Sequence, residues 1–170
     1  LWGSGQSFGA TVSYGGFTVG GYTSEKKQDS GSTANTDSDA SDVTAYVKYT
    51  AGPFSIGYQE GYIEKGLAGT AGTVTTGAKK VTSANGAFDI EAMGVAFNVN
   101  ENLSFSWGEL TETYDTTGGD AAGRSDNAAD VDMDSTSIQF AYTMGSMSIK
   151  GYQTDTDNPG WDSDAQSDEV

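Results

Sequence analysis

The chain of 170 residues contains no cysteine and no histidine. The first absence removes disulfide frameworks and thiolate metal sites. The second removes the commonest general base and metal ligand at neutral pH. Basic residues are scarce as well: 8 Lys and Arg stand against 24 Asp and Glu, a formal charge of −16. A nucleic-acid binder needs basic patches to displace counterions, so no nucleic-acid partner is expected. No apolar run approaches the roughly 18–20 residues of a membrane helix. There is no P-loop and no Gly-x-Ser-x-Gly elbow, and the usual nucleophile–base pairs need His or Cys, so no enzyme is expected. Glu109 and Glu112 could do acid–base work in principle, but two acids near a strand end are more often solvated.

What is present is a repeated unit: an alternating apolar/polar stretch, a tight turn, a second alternating stretch and a long aspartate-rich loop. The turns are Gly15-Gly16, Ala51-Gly52-Pro53, Asn100-Glu101-Asn102 and Gly145-Ser146. Similar strand openings follow them, such as Phe17-Thr18-Val19-Gly20 and Phe54-Ser55-Ile56-Gly57. Period-two alternation predicts about eight strands of about 8–12 residues, near the roughly 9–11 that a tilted strand needs to cross hydrocarbon. They fall at about 6–14, 17–24, 43–50, 54–63, 87–99, 103–113, 135–144 and 147–154, with the tail from Ser163 to Val170 read as acidic loop. No segment offers a 3.6-residue apolar stripe, and the many glycines and threonines disfavour helix.

Hydrophobic content of 35% and a mean hydropathy of −0.46 resemble an ordinary soluble protein. Barrel strands are apolar only on alternate residues, so such averages also suit a membrane barrel. A soluble β-sandwich alternates too, but varies its loops at both ends. Here every second connection is about two to three residues and the others about 15–25, the arrangement of an up-and-down barrel in an outer membrane. Aromatics near the strand ends, among them Tyr14, Phe17, Tyr49, Phe54 and Tyr142, fit the interfacial girdles of such a barrel. The expected fold is therefore all-β, an antiparallel up-and-down transmembrane β-barrel, with residues 1–170 part of one barrel domain. If the tight turns are periplasmic, both chain ends lie at the outer surface. Complete bacterial barrels keep both ends periplasmic, so an interior slice of a larger barrel is expected.

Alternation also assigns a lumen-facing set: Thr44, Tyr46, Lys48, Ser55, Gln59, Ser104, Ser106, Gln139, Ser148, Lys150 and Tyr152. Lys48 and Lys150 are the charges expected to bias ion traffic, since a lysine facing lipid near the bilayer middle would cost about 2–4 kcal/mol. The alternative is that both pair with loop or wall carboxylates.

The acids suggest calcium. Asp130, Asp132 and Asp134 alternate like the start of an oxygen-ligand loop, and Asp37-Ser38-Asp39 and Asp155-Thr156-Asp157 are shorter echoes. An EF-hand needs Gly at its sixth position and Glu at its twelfth. Ser135 and Ala141 stand there, which excludes an EF-hand and leaves at most loosely bound calcium. A second reading follows from this, a secreted or surface-layer β-rich adhesion protein with acidic, calcium-binding loops.

Three segments carry a family resemblance. The hairpin Ser7–Tyr22 (SFGATVSYGGFTVGGY), the turn-into-strand Asn102–Glu109 (NLSFSWGE) and the strand Ser135–Tyr142 (STSIQFAY) resemble the general diffusion porins of Gram-negative outer membranes, in their alphaproteobacterial form. The likeness covers most of the chain and rests on repeated strand grammar. It implies homotrimers of barrels with about 16 strands, embedded in outer-membrane lipid and passing small hydrophilic solutes by diffusion. The family's inward-folded acidic constriction loop has no recognisable version here.

Overall fold

The computed structural model describes residues 2–28, 40–64, 87–115, 131–162 and 165–170. Within them run β1 (Trp2–Tyr14), β2 (Phe17–Gln28), β3 (Ala40–Ala51), β4 (Phe54–Glu64), β5 (Ala87–Asn98), β6 (Leu103–Asp115), β7 (Val131–Met144), β8 (Met147–Asp157) and the short β9 (Gln166–Glu169). They form one antiparallel up-and-down sheet in strict sequence order, open at β1 and β9. The expected strands all occur, several with longer loop ends.

The tail departs from expectation. Gln166–Glu169 is a ninth strand, paired with Thr154–Asp157, where acidic loop was expected. All four of its residues are exposed and polar, so no apolar alternation marks it. Pairing holds it instead, with Gln166 Nε2 donating to Asp157 Oδ1 at 3.1 Å and the Asn158 amide donating to the Ala165 carbonyl at 2.8 Å. Asp132 and Asp134 likewise sit within β7 rather than in a loop. Asp37, Asp39 and Asp130 lie outside the described residues, as do most residues of the segments 25–42, 64–86 and 115–134 expected to be loops.

The tight turns follow from backbone chemistry. Gly15 and Gly16 both have positive φ, 57° and 88°, as a type I′ hairpin turn requires. Gly16 also has no room for a side chain, because a Cβ there would lie 2.5 Å from the Thr50 carbonyl oxygen. That carbonyl belongs to the next hairpin, whose Thr50 amide donates to the Gly16 carbonyl at 2.9 Å. At the third turn a side chain does the work: Asn100 Oδ1 accepts from the amides of Asn102 (2.8 Å) and Leu103 (3.0 Å), an Asx turn.

Directly paired residues of a ladder share a face. The registers run without a break from β2 to β8, so they define two faces. The front face carries the row Tyr14–Phe17–Tyr49–Ile56–Val95–Trp107–Ile138, crossing seven strands. A second front row, Phe54–Phe97–Phe105–Phe140, lies nearer the turns. On the back face at the same level stand hydroxyl pairs beside the turns: Ser13 with Thr18, Thr50 with Ser55, and Thr143 with Ser148.

Towards the loop ends the polarity reverses. The front face there carries Glu60 opposite Glu91, then Thr111, Asp134 and Asp157 along one row. Two threonines serve the acids, Thr111 donating to Asp134 at 2.6 Å and Thr113 donating to Asp132 at 2.7 Å. The back face there turns apolar, with Ile63, Phe88, Tyr114 and Val131 in one row. The buried hydrophobic residues sit at this end: Ala87, Phe88, Tyr114 and Val131, with Tyr114 fully enclosed at 0% exposure.

Candidate functional site

The turn-proximal back face gathers the polar residues expected to face water. Thr44, Tyr46 and Lys48 of β3, Ser55 and Gln59 of β4, Ser104 and Ser106 of β6, Gln139 of β7, and Ser148, Lys150 and Tyr152 of β8 all project from it. They line a broad wall rather than one enclosed site, though Tyr46, Lys48 and Gln59 together border an open hollow over Gly57 and Gly94. In its middle the side chains shrink away: Gly57, Gly94 and Gly108 stand directly opposite one another on β4, β5 and β6.

Long side chains flank that smooth strip. Tyr46 lies flat over Gly20, where an added Cβ would meet its ring at 2.5 Å, and its hydroxyl reaches Thr11 Oγ1 at 3.0 Å. Tyr22 similarly covers Gly9, with its ring 3.3 Å from the position of a Cβ. Glycine on one strand thus gives an aromatic ring on the next a place to lie along the sheet, which keeps both tyrosines low on the wall. Lys48 has Thr18 and Gly57 as ladder neighbours, and Lys150 has Ala141. Neither lysine makes an ion pair among the described residues.

A strap crosses the loop end of the back face, a feature with no counterpart among the sequence expectations. Between β8 and β9 the chain makes a single 3-10 turn, Pro159–Trp161, entered through Asn158 at φ 53°. Trp161, itself at φ 56°, packs its indole against Phe88 (ring centroids 5.0 Å apart) and Tyr114 (5.7 Å). Its Nε1 donates to the Glu112 carbonyl at 3.1 Å, and Asn158 Nδ2 donates to the Asp132 carbonyl at 2.8 Å. Non-glycine residues at positive φ are costly, so these contacts must hold the strap in place. Tyr114 lies beyond the apolar front band, and burial pushes its hydroxyl above the usual phenol range, with the nearby Asp115 carboxylate adding to the effect.

The front face presents the complementary surface. Val47, Phe105 and Phe140 are 40%, 46% and 43% exposed, and they stand on one face rather than meeting across a closed interior. Asp132 and Asp134 also project from the front, each held by its threonine, and among the described residues no group of three or more acids is placed to hold a metal ion. Glu109 and Glu112 point to opposite faces, so they form no acid–base pair.

The reversal of polarity is legible in β5 and β6 once the phase of alternation is followed. Phe88 and Ile90 occupy even positions, whereas Met93, Val95 and Phe97 occupy odd ones. Comparison with protein-family models, curated proteins and solved structures finds no match to this chain.

Proposed function

We propose that this chain is part of the wall of a porin-type β-barrel in the outer membrane of a Gram-negative bacterium, with water behind its back face and an apolar environment before its front face. Small hydrophilic solutes and ions pass along the back face by passive diffusion.

The observation that carries this reading is the front band. Large apolar side chains stand exposed on all of β1 to β8, including Val12, Val19, Val47, Ile56, Met93, Phe105, Phe140 and Ile149. Soluble monomers rarely expose contiguous apolar patches beyond a few hundred Å². On β3 the apolar side chains from Val43 to Ala51 span about 27 Å along the strand, or about 21 Å of height at a tilt of about 40°, against a band of about 25 Å in outer-membrane barrels. The opposite face at that level carries hydroxyls, amides and lysines, which suit a hydrated lumen.

Over β4 to β6 the band is shorter, because Glu60, Glu91 and Glu109 interrupt the front face. Carboxylates there are better accommodated against a neighbouring subunit than against lipid, which supports a homotrimer. Planar-bilayer recording of the purified protein tests the proposal. Stepwise conductance is expected; a protein that stays in solution without detergent and never conducts would overturn it in favour of the adhesion reading.

A further inference from the structure

The charges of this sheet are sorted by face. The carboxylates of the described strands project from the front, with Asp42, Glu112 and Glu169 as the exceptions. The lysines whose side chains are described, Lys26, Lys48 and Lys150, all project from the back. In the turn-proximal half of the back face Lys48 and Lys150 are therefore the charged groups, with no carboxylate beside them.

Each also stands at the same distance from its own tight turn, although the ladder carries the row of Lys48 to Thr154 rather than to Lys150. Lys48 lies four residues before Gly52, and Lys150 lies four residues after Ser146. At corresponding distances from their own turns the intervening strands offer Gly57, Ala96, Ser106 and Ala141, all small and uncharged. The nearest back-face carboxylate along β3 is Asp42, six residues from Lys48 and so about 20 Å away, roughly two Debye lengths at physiological salt. A formal charge of −16 would by itself suggest a wall that attracts cations, yet most acids of the described strands stand on the front face.

We infer that Lys48 and Lys150 form a cationic tier on the water-facing wall that favours small anions over cations, despite the acidity of the chain as a whole. This rests on the channel reading and adds a selectivity to it. Among the described residues these ammonium groups pair with no carboxylate, and the back-face acids Asp42 and Glu169 stand about 20 Å from Lys48 and about 14 Å from Lys150. The front-face acids are separated from the water path by the sheet and lie nearer the loop ends.

The test is the reversal potential of the purified protein in a planar bilayer under a potassium chloride gradient. Replacing both lysines (Lys48→Gln with Lys150→Gln) is expected to lower the chloride-to-potassium permeability ratio by about twofold or more. The Lys48→Arg with Lys150→Arg variant should keep the original ratio, and so should the front-face control Glu60→Gln with Glu91→Gln. An unchanged ratio in the glutamine variant, or an equal shift in the front-face control, would overturn the inference while leaving a conducting channel intact. A wild-type protein that never conducts would remove the channel reading itself, and the selectivity with it.

Discussion

Replacing Trp161 by alanine should release the strap between β8 and β9 while leaving the sheet beneath it paired. The indole makes two aromatic contacts, to Phe88 at 5.0 Å and to Tyr114 at 5.7 Å, and one hydrogen bond to the Glu112 carbonyl at 3.1 Å. Aromatic pairs contribute about 0.5–1.5 kcal/mol each, and a hydrogen bond about 1 kcal/mol net. The sum is about 2–4 kcal/mol, and partial exposure of Trp161 favours the lower end. Alanine keeps a Cβ, so it relieves none of the positive-φ strain at this position. Hydrogen exchange is the appropriate assay, because the Asn158, Trp161 and Ala165 amides donate within the strap itself. A local loss of about 2 kcal/mol speeds their exchange about 30-fold, with β3 and β4 unaffected. Trp161→Phe retains the stacking and loses only the hydrogen bond, so a change of about fivefold is expected. Exchange at those amides within twofold of wild type in the alanine variant would refute the reasoning, since the strap would then be held by something other than the indole.

Two further outcomes follow from the faces of the sheet. Ile56→Arg on the front face should destabilise the protein in lipid vesicles by about 2–4 kcal/mol, measured by urea unfolding, whereas Gln139→Arg on the back face should cost little. Equal costs would mean that the two faces see the same surroundings. Gly20→Ala should displace the Tyr46 ring and break its contact with Thr11, costing about 1–3 kcal/mol by overpacking, while Tyr46→Phe should cost only about 1 kcal/mol. A Gly20→Ala protein as stable as wild type would show that the ring has somewhere else to lie.

Much of this architecture is legible in the sequence. Paired glycines, the Asn100 turn and period-two alternation specify where the chain reverses and which residues share a face near the turns. Every residue expected on the water-facing wall projects from the back face, because a side-chain period of two leaves no freedom once the register is continuous. The loop ends are less legible, for a physical reason. Alternation changes phase within β5, β6 and β7, so that Phe88, Tyr114 and Val131 point opposite to Phe97, Phe105 and Phe140. A pattern judged on its turn-proximal half alone misses that exchange. The ninth strand carries no apolar signal at all and owes its existence to hydrogen bonding with the edge of β8. The strap depends on left-handed backbone at Asn158 and Trp161, which residue type does not announce for a tryptophan.

The reversal of polarity along the strands has a mechanical meaning for a sheet embedded in lipid. Below lies the ring of Phe54, Phe97, Phe105 and Phe140, and above it lie Glu60, Glu91, Asp134 and Asp157. Sinking by two residues, about 5 Å of height on tilted strands, would drag carboxylates into hydrocarbon. Rising by as much would lift the phenylalanine tier into water. In the membrane setting proposed above, the wall would float at one draught, trimmed from both sides by its own side chains.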